Sequence, residues 1–207
     1  MKTTMRMLIT VSAVSGLALL SSGCSAFRAS TKDVDVEETK HMDADYDYSD
    51  MRNISSAVAN ELMASAFLGK FTEPPIFMIA GVENRTSNYV DTKGLTDKIR
   101  TSLFNAGKGQ FVNEARREDL LKEQGYQAAN ATMETQTAIG KQLGAKFMIS
   151  GSLMEMRNDS PKQVRVSKQK LNYYKLTVEV TDLETGLLAW TTEKEFARQA
   201  SLPLIGW

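Results

Sequence analysis

Ile76-Phe77-Met78-Ile79-Ala80-Gly81-Val82, then Glu83-Asn84-Arg85-Thr86-Ser87-Asn88-Tyr89-Val90-Asp91, then the run from Thr92 to Gly107, is the stretch whose reading decides the fold. The first part is an apolar run that follows Pro74-Pro75, which suits a short buried strand over 76–82. The second part is polar and reads as a loop. Leu95, Ile99, Leu103 and Ala106 then recur at helical spacing and predict an amphipathic helix over 93–106. Asp91 or Thr92 supplies the N-cap, since a side-chain oxygen can accept from the open first-turn amides. In open α/β sheets, the loop at the carboxyl end of a buried strand is the usual place for a binding surface. Residues 83–91 are therefore the first candidate site.

Working outward, a helix is expected over 51–68, capped by Ser49 or Asp50, with Ile54, Val58, Leu62 and Ala66 on one side. Gly107-Lys108-Gly109 lacks the full phosphate-loop spacing and reads as a turn. A short strand over 110–112 follows. Next come a helix over 114–124 with Leu120-Leu121 as its buried edge, a loop over 125–131, and a helix over 132–143 with Ala138, Ile139 and Leu143 inward. Residues 146–156 form a strand and 157–163 a loop. Residues 171–183 alternate, with Tyr174, Leu176, Val178 and Val180 on one face, as in a half-buried antiparallel strand. Asp182 to Gly186 makes a hairpin turn. A return strand over 187–196 carries Trp190, assigned to the core, and a less regular tail covers 197–207. The order α-β-α-β-α-α-β-β-β implies an α/β (α+β) single domain. Its mixed sheet has four or five strands, packed with about four helices, beginning as a parallel pair and ending as an antiparallel meander.

The amino-terminal end has a different character. Lys2 and Arg6 precede an apolar run over 8–20, too short to span a bilayer, which takes about 20 residues. The run ends in Leu20-Ser21-Ser22-Gly23-Cys24, the pattern of a secretory signal peptide over 1–23. It resembles the lipobox of bacterial lipoproteins, although Ser21 stands where Leu is usual. That resemblance implies lipidation of Cys24, the only cysteine, with Ser25 favouring the outer membrane. The other reading is an ordinary cleavage near Ser22 that leaves a free thiol. Residues 24–49 read as the anchored start and an acidic tether. From Ser25 onward it carries three basic and seven acidic residues, few large aliphatics and no proline, a composition expected to be disordered. His41, the only histidine, is assigned to this solvated linker. Residues 50–207 form the globular part.

Without Lys2 and Arg6 the chain has 23 basic and 25 acidic residues, a net charge of −2, and no basic face or motif for nucleic acid. The globular part has neither cysteine nor histidine, so Cys-His and Ser-His catalysis and the common zinc sites are excluded. No spacing of carboxylates supports an enzyme, a cofactor or a small-molecule substrate. Glu83 to Ser87, Asp91-Thr92-Lys93 and Asp97-Lys98-Ile99-Arg100-Thr101 resemble the central motif of the LpoB family of penicillin-binding-protein activators. Ala138 to Ala145, Ser150-Gly151-Ser152, and Asp182 to Gly186 with Trp190 extend the likeness over 53–196. The resemblance implies a TolB N-terminal-like fold and a non-enzymatic lipoprotein of the outer membrane that faces the periplasm. Its implied partner is a class A penicillin-binding protein, whose glycan polymerisation and cross-linking it raises. The best-known members carry a long proline-rich linker, which this chain lacks. The other function considered is a structural or assembly subunit of an outer-membrane lipoprotein or secretion complex. The expected contact residues are Asn84, Arg85, Thr86, Tyr89 and Tyr173, with the exposed side of the sheet. Asn84-Arg85-Thr86 reads either as a recognition edge or as a turn that satisfies its own backbone.

Overall fold

The computed structural model describes residues 31–39, 41–123, 132–159 and 168–202. The chain divides into two compact units, Met1–Glu38 and Thr39–Trp207. In the first, residues 31–38 are exposed, and a turn is closed by the Glu38 amide donating to Asp35 O at 3.1 Å. Cys24 and the expected signal segment, the loop over 125–131 and residues 203–207 lie outside the described residues, as do the side chains of Leu120 and Leu121.

The second unit runs α1 (Tyr48–Ala64), a 3-10 turn (Leu68–Lys70), β1 (Ile76–Arg85), α2 (Thr92–Asn105), β2 (Gln110–Phe111), α3 (Glu114–Glu123), α4 (Met133–Gln142), β3 (Phe147–Asp159), β4 (Lys168–Asp182) and β5 (Leu188–Leu202). The five strands lie in the order β2-β1-β3-β4-β5. β1 is parallel to β2 and β3, whereas β3, β4 and β5 are antiparallel neighbours. The expected mixed sheet, parallel first and antiparallel after, is what the chain builds.

Helix ends follow local side-chain chemistry. Asp47, rather than Ser49 or Asp50, caps α1, because its carboxylate accepts from the Ser49 and Asp50 amides while Asp50 reaches back to the Asp47 amide. α1 stops at Ala64, short of the expected residue 68. There Ser65 turns extended and its hydroxyl bonds Leu62 O at 2.6 Å, competing with the helical ladder. Ala66 is therefore exposed beyond the helix, and Ala106 and Ala138, also expected inward, are exposed as well. Asp91 caps α2 and Thr132 caps α4. Gly186 takes φ +73° in the hairpin, which the β4–β5 turn requires.

One face of the sheet packs under α1 and α2. Val58, Leu62, Leu95, Ile99, Leu103, Phe77, Phe147, Ile149, Leu153, Leu176, Val178 and Val180 form this core, with Trp190 half-buried against it. Each fully buried large aliphatic contributes about 1.5–3 kcal/mol. The opposite face is covered in part by α4, around Met78, Met148, Ala145 and Leu183.

The strands are longer than expected, and two of the extensions matter. β1 runs on to Arg85 through a bulge at Ala80-Gly81, where Gly81 has φ +106°. Before the bulge Phe77 and Ile79 align with Phe147 and Ile149. After it Val82 and Asn84 align with Gly151 and Leu153 on that same face. The extra residue thus turns Glu83 and Arg85 to the open side, where an unbroken alternation would have put them under the helices. β5 continues to Leu202, so much of the expected irregular tail is strand.

Candidate functional site

The carboxyl end of β1, the end of β3, the start of β4 and the end of β5 meet at one end of the sheet, and every described residue expected at the contact surface lies there. Asn84 holds the turn after β1. Its Nδ2 donates to Asn88 O at 3.0 Å, and its Oδ1 accepts from the Thr86 amide at 2.9 Å. The Thr86 hydroxyl lies 2.8 Å from both Asn84 Oδ1 and Asn88 O, and its single proton serves one of them at a time. These bonds make Asn84 and Thr86 a self-satisfied turn. Arg85 is exposed on the open face and pairs with Glu83, Nε to Oε2 at 2.7 Å. That guanidinium holds the Glu83 carboxyl below its usual range. Tyr89 stands 92% exposed in the loop.

Tyr173 shares the open face with Arg85, two strands away. Arg85 aligns with Met154, and Met156 one row on aligns with Tyr173. The Tyr173 hydroxyl donates to Glu195 Oε2 across β4 and β5 at 2.5 Å. Below this row the sheet forms a shallow depression of about 570 Å³, lined by Gly81, Glu83, Arg85, Met133, Ser152 and Glu179 among others. Its lining mixes small, polar and oppositely charged groups.

On the covered face, the same end of the sheet holds polar residues that sequence reasoning passed over. Glu155 occupies the inward position after Leu153, with its side chain 3% exposed. Its Oε1 accepts from Tyr174 O–H at 2.7 Å and Arg157 Nε at 2.7 Å. Its Oε2 accepts from the Ser87 amide at 2.9 Å and the Ser87 hydroxyl at 2.5 Å. Burial pushes this carboxyl up, but the bonds from Ser87, Tyr174 and Arg157 outweigh it and bring it down to about 2. Burial and Glu155 together push the Tyr174 hydroxyl up to about 12.

Residues 41–47, expected to be free tether, are packed here instead. Ala44 is fully buried. Asn172 Nδ2 donates to Ala44 O at 3.1 Å and Asp45 Oδ1 at 2.8 Å, and Lys170 Nζ reaches Asp45 Oδ1 at 2.6 Å. The Tyr46 ring packs on Tyr174 and Phe196, at centroid distances of 5.6 and 6.3 Å. Arg198 bonds Asp45 O at 2.8 Å and Asp50 Oδ1 at 2.5 Å, and lies 3.4 Å from Asp47 Oδ2. His41 is drawn in as well, with Nδ1 at 2.7 Å from Asp47 and Nε2 at 3.3 Å from Arg198. The histidine stays exposed, as expected of a solvated residue, but is bonded to the domain rather than free. The composition of this arm argued for disorder, but opposite charges on β4 and β5 satisfy it. His41, Asp47 and Asp50 come close enough to suggest a cation site, but the Arg198 guanidinium already supplies the positive charge.

A legible signal marked Glu155 and Asn172. Glu155 and Asn172 are polar residues at the inward parity of alternating strands, and such residues need partners; Arg198 shares that parity only because β5 runs past residue 196.

Fold and site together define a small α+β domain with a mixed five-stranded sheet and a polar end. The chain belongs to the LpoB family: residues 50–196 match the family described as the peptidoglycan-synthase activator LpoB. It is similar in fold to the LpoB C-terminal domain from Escherichia coli, at 17% identity and a TM-score of 0.53, covering 71% of this chain and 98% of that one. The LpoB C-terminal domain from Salmonella enterica gives 18% identity and a TM-score of 0.50, over 70% and 94% of the two chains. No curated protein sequence matches this chain. Among the described residues, no helix is long and apolar enough to cross a membrane.

Proposed function

We propose that this protein is a non-enzymatic activator that binds a class A penicillin-binding protein and raises its peptidoglycan synthesis. The observation that carries the proposal is the family match over residues 50–196, nearly the whole of the described globular part. On this reading Cys24 is lipidated and fixes the chain to the outer membrane, facing the periplasm. An activator must bind the active conformation of its target more tightly than the inactive one. A folded domain with an exposed polar surface suffices for that. The contact surface we assign is Tyr89, the turn at Asn84, Arg85 and Thr86, and Tyr173 on the open face.

The test adds the soluble chain from Ser25 onward to a class A penicillin-binding protein and follows glycan polymerisation. Faster polymerisation, together with capture of that enzyme from membranes, is the expected result. Capture of outer-membrane channel or lipoprotein components alone, with no change in rate, would refute it. One observation favours the second reading, an assembly subunit of an outer-membrane lipoprotein or secretion complex. With residues 41–47 packed on the domain, residues 25–40 reach at most roughly 55 Å when fully extended.

A further inference from the structure

The carboxylate of Glu155 divides its hydrogen bonds between two segments that are far apart in sequence. Both donors to Oε1 are tied to the amino-terminal arm. The Tyr174 hydroxyl, which donates to Oε1 at 2.7 Å, itself accepts from the Tyr46 amide at 3.1 Å. Arg157, which donates through Nε at 2.7 Å, lies 3.6 Å from Asp45 through Nη2. Both donors to Oε2 are the amide and hydroxyl of Ser87, in the loop that carries Tyr89.

We propose that Glu155 is a positioning residue that couples docking of the arm, residues 41–47, to ordering of the loop 86–91, so that the two are held or released together. The physical basis is direction and saturation. The path Tyr46 N–H to Tyr174 O–H to Glu155 runs donor to acceptor throughout, so each bond polarises the next. The carboxylate is nearly inaccessible to water, which makes loss of a donor on either side costly. When the arm lifts, Tyr174 and Arg157 lose the groups that aim them, Glu155 gains freedom, and Ser87 loses its fixed acceptor. The arm continues into the segment that leads to Cys24, so whatever loads that segment acts first on residues 41–47. Coupling of this kind is reciprocal, and a partner that clamps the loop also tightens the arm.

The test is amide hydrogen exchange in the full-length chain, solubilised in detergent, with the Val178 amide in the middle of the sheet reporting global opening. Asp45→Ala removes the carboxylate that meets Lys170, Asn172 and Arg157, leaving the Asn172 bond to Ala44 O. It is expected to speed exchange at Tyr46 and also at Ser87, each by about tenfold. Glu155→Gln acts from the middle and is expected to raise exchange at both. Tyr174→Phe keeps the ring stack, removes the hydroxyl and gives the same paired effect if Asp45→Ala does not fold. Tyr173→Phe, which loses only the exposed bond to Glu195, moves neither site. The proposal is overturned if Asp45→Ala frees Tyr46 while Ser87 stays protected. It is equally overturned if Glu155→Gln frees Ser87 alone, or if Tyr173→Phe releases both.

Discussion

The covered face of the sheet has two ends that are held by different physics. At one end Phe147 meets Phe67, Phe71 and Phe77 edge-on or tilted at 5.0 to 5.9 Å, and Ile149 and Val180 complete an apolar layer under α1 and α2. At the other end Glu155, Asn172, Tyr174 and Arg198 occupy the same inward positions of the same strands, and the arm 41–47 covers them. Apolar burial is non-directional and tolerates sliding. The polar end works only if every donor finds its acceptor. The difference explains why a segment with a disordered composition becomes part of the domain. The strands leave charged and amide groups at their inward positions, and the arm, with Asp50 at the start of α1, supplies the matching carboxylates and carbonyls.

Substitutions at each end break the comparison in different ways. Phe147→Ala should have the largest effect, a loss of about 4 kcal/mol in chemical denaturation, from lost transfer energy and a cavity among the three remaining rings. Arg198→Ala should cost about 3 kcal/mol near neutral pH, because it strands the buried Asp50 without its cation. Burial already raises the Asp50 carboxyl above its usual range. Without Arg198 it will take up a proton more readily, so denaturation repeated in mild acid should show a smaller deficit. The same denaturation series on Phe147→Ala should show no such pH dependence.

Glu155→Gln should cost about 2 kcal/mol near neutral pH. The native carboxyl titrates lower than it does in the unfolded chain, so its contribution is present in full above its ordinary value of 4.5. It is lost as pH falls toward about 2. Thermal unfolding of native and variant chains should therefore converge across that window, and a gap that stays constant with pH would contradict the assignment. Arg85→Glu should have the smallest effect on stability, about one degree in Tm, since the pair with Glu83 is exposed. If the contact surface is correctly placed, the same variant weakens capture of the penicillin-binding protein. A large fall in Tm would make Arg85 a structural residue instead.

Much of the fold was legible because period and punctuation were strong. Tyr174, Leu176, Val178 and Val180 alternate without interruption, and Leu95, Ile99 and Leu103 mark α2. The lengths of the strands were harder to read. Residues 197–202 offer little apolar alternation, yet they pair with 168–173 because a backbone ladder, once started at the hairpin, needs no apolar side chains to continue. Likewise Glu83, Asn84 and Arg85 look like loop by composition but extend β1 beside β3. Of the candidate site, Asn84, Arg85, Thr86, Tyr89 and Tyr173 were visible as polar or aromatic groups near strand ends. The arm's place was not, because its partners on β4 and β5 lie 125 to 157 residues away in the chain, and the bond between Glu155 and Ser87 spans 68.

By itself, the sequence determined the element order, the parallel-then-antiparallel sheet and the absence of cysteine and histidine from the region after residue 49, since these rest on local periodicity and composition. Only the tertiary structure decided which face Arg85 presents, through one extra residue at Ala80-Gly81. It also decided that residues 41–47 belong to the domain. Both outcomes depend on register and on charge pairing across the sheet, and neither is encoded in any one stretch of chain.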